Sequence, residues 1–92
     1  MLVVTLGKPK QSSTTKDRLA RRVGWQFPAG VRVIGEYWLQ STDPTLIVIS
    51  EVDDPAALMA ATADWDDHFD LTTTPAVSAE QGLKFSEQLV SH

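Results

Sequence analysis

Two apolar runs flank the turn Ser41-Thr42-Asp43-Pro44 within the segment Val31–Asp54, VRVIGEYWLQSTDPTLIVISEVDD. Val31 to Leu39 and Thr45 to Val52 are rich in β-branched and aromatic residues, and they read as the arms of a β-hairpin. Asp53-Asp54-Pro55 follows at once and starts a helix. A carboxylate there accepts the first free N–H groups, and proline at the first helical position lacks an N–H that would have no partner anyway. A hairpin feeding straight into a capped helix commits the chain to a two-layer α+β arrangement. One face of the sheet lies under helices, and the other is available to a partner or a ligand. No reaction follows from this feature.

The flanking sequence completes the element order. Leu2 to Leu6 is a β-rich run ended by Gly7 and Pro9, a first strand and its loop. The polar stretch Gln11–Thr15 offers N-caps for a helix over Lys16 to Val23, with Leu19 and Val23 spaced i, i+4 and Gly24 at its C-terminal end. Trp25, Phe27 and Pro28 fall in the next connection and seal one end of the core. After Pro55, the spacing of Leu58, Ala61, Trp65 and Phe69 predicts one apolar stripe on a second helix. Leu71 to Val77 is a fourth strand, marked as an edge by Pro75. Ser78-Ala79-Glu80-Gln81 resembles a capping box, which predicts a last helix to about Val90. The order β-α-β-β-α-β-α is the ferredoxin-like βαββαβ plait with an extra C-terminal helix, its antiparallel sheet in the order 4-1-3-2.

Size and charge narrow the class further. A chain of 92 residues, 42% of them hydrophobic, is expected to form a single domain over 1–92 with a modest core. A net charge of −4 argues against nucleic acid, and Arg18, Arg21 and Arg22 read as a solvated helix face. With no cysteine, disulfides and Cys-ligated metals are excluded. Neither a signal sequence nor a membrane span is evident, which predicts a soluble cytoplasmic protein with no membrane partner.

The third strand bears on the free face. Leu46-Ile47-Val48-Ile49 is apolar at successive positions, whereas a strand with one wet face alternates. Both of its faces are therefore expected to be covered, one by helices and one by a second copy's sheet in a two-fold homodimer. With Gln40 paired to Thr45, one hairpin face collects Val33, Tyr37, Leu39, Leu46, Val48 and Val52 as core. The other collects Arg32, Ile34, Glu36, Trp38, Ile47, Ile49 and Glu51 as an amphipathic wall.

The runs Gly30-Val31 through Ile34-Gly35-Glu36-Tyr37-Trp38, Glu51-Val52-Asp53-Asp54-Pro55-Ala56-Ala57-Leu58, Trp65 and Thr74-Pro75-Ala76-Val77 resemble a family of small bacterial and archaeal proteins of unknown function. That family belongs to the dimeric α/β-barrel group of ferredoxin-like proteins, and the resemblance covers most of the chain. It implies a pair of protomers packing their sheets into a shared barrel. Such relatives often carry Gly-Arg-Trp-His where this chain has Gly35-Glu36-Tyr37-Trp38, so any function of that basic residue and histidine is not implied here. The wider group spans cofactor-free monooxygenases, isomerases, dehydratases, haem enzymes and ligand-sensing domains, and implies fold rather than activity.

Arg32, Glu36, Trp38 and Glu51, sharing the amphipathic wall, are the expected ligand-binding residues. Carboxylates in a partly dry pocket transfer protons, which makes Glu36 and Glu51 catalytic candidates. Ion pairing with Arg32 or at a dimer rim is the preferred account of both. His68 is a third catalytic candidate. Its spacing from Asp64 would suit two metal ligands, but two are too few to specify a site, and no metal or cofactor is expected. Asp64, Asp66, Asp67 and Asp70 are assigned to charge complementarity with Lys8, Lys10 and Lys16. The expected function is the binding of a small, partly apolar molecule in the barrel, between sheet and helices. Two alternatives stay open: a cofactor-independent enzyme of the monooxygenase or isomerase type, and a purely structural or partner-binding dimer.

Overall fold

In a computed structural model describing residues 1–90, the chain forms β1 (Leu2–Pro9), α1 (Thr15–Gly24), β2 (Val31–Trp38), β3 (Leu46–Val52), α2 (Pro55–Ala63), β4 (Phe69–Pro75) and α3 (Ala79–Val90). The four strands make one antiparallel sheet in the order β2-β3-β1-β4, the arrangement of a ferredoxin-like α+β fold with an added C-terminal helix. Pro75 closes β4 on the sheet edge, where a missing donor leaves no ladder bond unmade.

The helix starts follow from their caps. Thr14 Oγ1 accepts the Asp17 N–H of α1 at 3.2 Å. Asp54 accepts the Ala57 N–H at 2.9 Å ahead of Pro55. In α3 the capping box is reciprocal: Gln81 N–H donates to Ser78 Oγ at 3.1 Å, and Ser78 N–H donates to Gln81 Oε1 at 3.4 Å.

The second helix ends earlier than its apolar stripe suggests. It stops at Ala63, and the segment 64–68 runs on in tight turns, with Trp65 N–H donating to Thr62 O and His68 N–H to Trp65 O. A helix extended through Asp64, Asp66 and Asp67 would stack carboxylates at its negative end, which the macrodipole opposes. Trp65 therefore reaches the core from a turn, and Phe69 reaches it as the first residue of β4.

The hairpin also departs from its expected register. Val31 and Val33 pair with Val52 and Ser50, but the register shifts between Val33 and Gly35, after which Glu36 pairs with Val48 and Trp38 with Leu46. This β-bulge at Ile34 reverses the alternation along β2. Glu36 and Trp38 thereby join the helix-covered face, whereas Tyr37 joins Ile47 and Ile49 on the open one. Arg32 and Glu51, paired before the bulge, also lie on the open face.

The core is small: Val3, Val48, Val52, Trp65 and Phe69 are its buried apolar side chains. Along β3 the inward residues Val48, Ser50 and Val52 are buried, and the outward Ile47, Ile49 and Glu51 are half-buried. Gly30, entering β2, takes φ +88° and lies so close to α2 that a Cβ would meet the Ala57 Cβ at 3.0 Å. Among the described residues neither α1 nor α3 makes an extended contact with another element. The radius of gyration, 15.5 Å, exceeds the roughly 12 Å of a compact chain of this length accordingly.

Candidate functional site

A cavity of about 490 Å³ lies between the sheet and the first two helices. Its origin can be read in the helices. From α2 only Leu58, Ala61 and Thr62 line the gap, and the last two are too short to fill it. Helix α1 has no buried residue, and the side chains it turns inward include Arg18 and Arg22 while Val23 is 90% exposed. Helix α2 touches β2 and β3, whereas among the described residues α1 makes no extended contact with a strand, and the layers stay apart there.

Aromatic rings wall one end. Trp25 stacks edge-on against Phe27 at 4.6 Å and against Trp65 at 5.6 Å, and Trp65 lies 5.8 Å from Phe69. The arginines of α1 cap these rings: Arg18 over Phe69 at 5.6 Å, Arg21 over Trp65 at 5.5 Å, Arg22 over Phe27 at 5.4 Å. Their i, i+3, i+4 spacing, continued by Trp25, puts them along one side of the helix. The sequence suggested a solvated face; here that face docks the helix.

Arg22 and Glu36 form the central ion pair. Arg22 Nε donates to Glu36 Oε2 at 2.9 Å and Nη2 to Oε1 at 2.8 Å, and Nη1 donates to the Trp25 carbonyl. Trp38 Nε1 adds a third donor to Glu36 Oε2 at 2.9 Å. The Arg22 hydrogen bonds hold the Glu36 carboxyl below its usual range, against the opposing effect of burial, with Trp38 adding to the lowering. Glu36 is thus an anchored carboxylate, with both oxygens occupied.

The four expected ligand-binding residues divide between two faces. Glu36 and Trp38 border the cavity, Trp38 being 58% exposed at its rim. Arg32 instead pairs with Asp53 at 2.8 Å, and Glu51 with the N-terminal amine at 3.2 Å, both across the sheet from the cavity. His68 sits in the turn before β4, where its Nδ1 lies 2.7 Å from Ser13 Oγ, and Arg18 Nη1 donates to the same hydroxyl at 2.9 Å. Asp64 is turned elsewhere, accepting from Trp25 Nε1 at 2.8 Å. Among the described residues no group of three or more His, Asp or Glu could hold a metal ion. Of the acidic cluster, Asp67 is gripped bidentately by Arg21 at 2.6 and 2.7 Å and Asp70 pairs with Lys10 at 3.4 Å. The bonds from Arg21 lower the Asp67 carboxyl to about 2.

Arg18, Arg22, Ser50 and Thr5 also line the cavity, and none was singled out from the sequence as a site residue. The signal for the last two was present: each is the polar residue at an inward position of a strand otherwise apolar on that side.

A family described as "Domain of unknown function (DUF3303)" matches residues 1–90. The chain belongs to the DUF3303 family. No curated protein matches it, and no solved structure does. Membership agrees with the resemblance to a family of unknown function and assigns no activity. No helix among the described residues is long and apolar enough to cross a membrane.

Proposed function

We propose that this DUF3303 member is a cytoplasmic small-ligand-binding protein, a homodimer of single-domain protomers of the dimeric α/β-barrel type. The observation that carries the binding reading is the cavity. At about 490 Å³ it falls within the range of small-molecule sites, and it combines aromatic walls with a few polar side chains. An ordinary core would be filled at this position.

The dimer reading is supported by what the open face offers. Leu2, Val4, Leu6, Ile47, Ile49 and Tyr37 make an apolar centre there, with Tyr37 55% and Leu6 38% exposed. Arg32 and Glu51 flank it and are assigned to the rim of the subunit contact. A stable pair needs roughly 800 Å² from each partner. Helix α3 can contribute to that area, because its Leu83, Phe85, Leu89 and Val90 are 61–85% exposed.

The second reading, a cofactor-independent enzyme, is favoured by the Ser13–His68 pair, which Arg18 links to the cavity. Glu36 does not favour it, since a depressed pKa and hydrogen bonds to both oxygens suit an anchor rather than a base. The readings separate on Ser13→Ala: turnover would be lost in an enzyme, while ligand affinity would hold in a binding protein. Native mass spectrometry of freshly purified protein tests the main reading. A dimer carrying a defined extra mass is expected, and a bare monomer would contradict it.

A further inference from the structure

The polar groups that the fold leaves unused inside the cavity specify a ligand class. Ser50 is 2% exposed and Thr5 9%, yet neither hydroxyl has a protein hydrogen-bond partner among the described residues. No inaccessible side-chain oxygen or nitrogen lacks a partner there, so both hydroxyls must be reachable, and both residues line the cavity. They are diagonal neighbours across β1 and β3, since Val3 pairs with Ser50 and Thr5 with Val48. A cavity-facing hydroxyl with no protein partner is free to bond whatever fills the cavity, and two at one floor position offer a hydrogen-bonding guest an anchor.

Arg18 supplies the second, independent observation. Of the four arginines, Arg21, Arg22 and Arg32 each close an ion pair with a carboxylate, but among the described residues Arg18 has none. Its Nη1 and Nη2 donate only to the neutral hydroxyls of Ser13 and Thr15, at 2.9 and 3.1 Å, while its guanidinium lies over Phe69. It lines the same cavity as Ser50 and Thr5. An uncompensated guanidinium in a largely apolar chamber favours an anion. Being single, it matches one negative charge rather than the two of a phosphate monoester. The rings of Trp25, Phe27 and Trp65 line the same cavity and supply its apolar wall.

We infer that the cavity takes a flat, apolar monocarboxylate bearing a hydroxyl or keto oxygen at its far end. Arg18 receives the carboxylate, Ser50 and Thr5 bond the distal oxygen, and the aromatic wall contacts the body. The inference rests on the binding reading of the cavity and adds the chemistry of its occupant.

Two probes of one shape separate the two levels. 6-Hydroxy-2-naphthoate and its neutral amide, 6-hydroxy-2-naphthamide, are titrated against the intact protein, with quenching of tryptophan emission as the readout. The acid is expected to bind at least about tenfold more tightly than the amide, the worth of a charge-assisted contact. Arg18→Gln should erase that preference, whereas Arg18→Lys, which keeps the charge, should retain part of it. Ser50→Ala should weaken both probes by about three- to tenfold, and should leave 2-naphthoate, which lacks the hydroxyl, unaffected. Equal binding of acid and amide by the wild-type protein would overturn the ligand class and leave the binding reading standing. Failure of both probes to bind would overturn the two together.

Discussion

Glu36 shows how one side chain's surroundings decide its chemistry. As a carboxylate on a strand it was a candidate acid or base, but the fork of Arg22 and the indole of Trp38 bond both its oxygens and hold it ionised. Glu36→Gln is expected to destabilise the fold by about 1–3 kcal/mol, because Arg22 would keep its charge in a half-buried site without a counter-ion. Urea denaturation of the two proteins measures it. Asp67 gives a pH signature. Its carboxyl falls from 3.8 to about 2 on folding, so its contribution is present above pH 3.8 and is lost as pH drops toward 2. A pH series of unfolding midpoints should therefore decline across that window, and Asp67→Asn should flatten the decline. The candidacy of Glu36 and Trp38 was legible in their types and spacing. Their placement was not, since it depends on a one-residue bulge at Ile34 that no turn residue announces. Arg22 was missed because its partner lies 14 residues along the chain.

At the scale of elements, sequence rules worked where interactions are local. The caps at Thr14, Asp54 and Ser78 fell where short-range hydrogen bonding predicts, and Pro75 marked the sheet edge. Asp54→Ala should therefore cost about 1 kcal/mol, read as a lower thermal midpoint, by leaving the Ala57 N–H without its acceptor. The end of α2 was harder to see. Trp65 and Phe69 continue the helical period of Leu58 and Ala61, but the intervening aspartates break the helix, and both rings reach the core by another route. Periodicity identified these residues as core without identifying the element that carries them. The cavity was not legible at all at this scale, since it arises from the mismatch between an alanine-rich α2, an arginine-faced α1 and the sheet they cover.

For the whole molecule, the ferredoxin-like order followed from the sequence of elements, and membership of the DUF3303 family spans residues 1–90. Its two sheet faces carry different proposed tasks. The helix-covered face is the proposed ligand chamber, and the open face, with α3, is the proposed contact with a second copy. Sedimentation equilibrium should give twice the mass of the chain, and charged substitutions at Ile47 and Ile49 together should shift it to monomer. The central claim, that ligand enters between helices and sheet, is tested most directly by methyl NMR of protein titrated with 6-hydroxy-2-naphthoate. The account predicts that the methyls of Leu19, Val48 and Leu58 in the cavity shift while those of Val4, Ile47 and Ile49 on the open face stay fixed. Shifts confined to the open-face methyls would place binding on the wrong side of the sheet and contradict it.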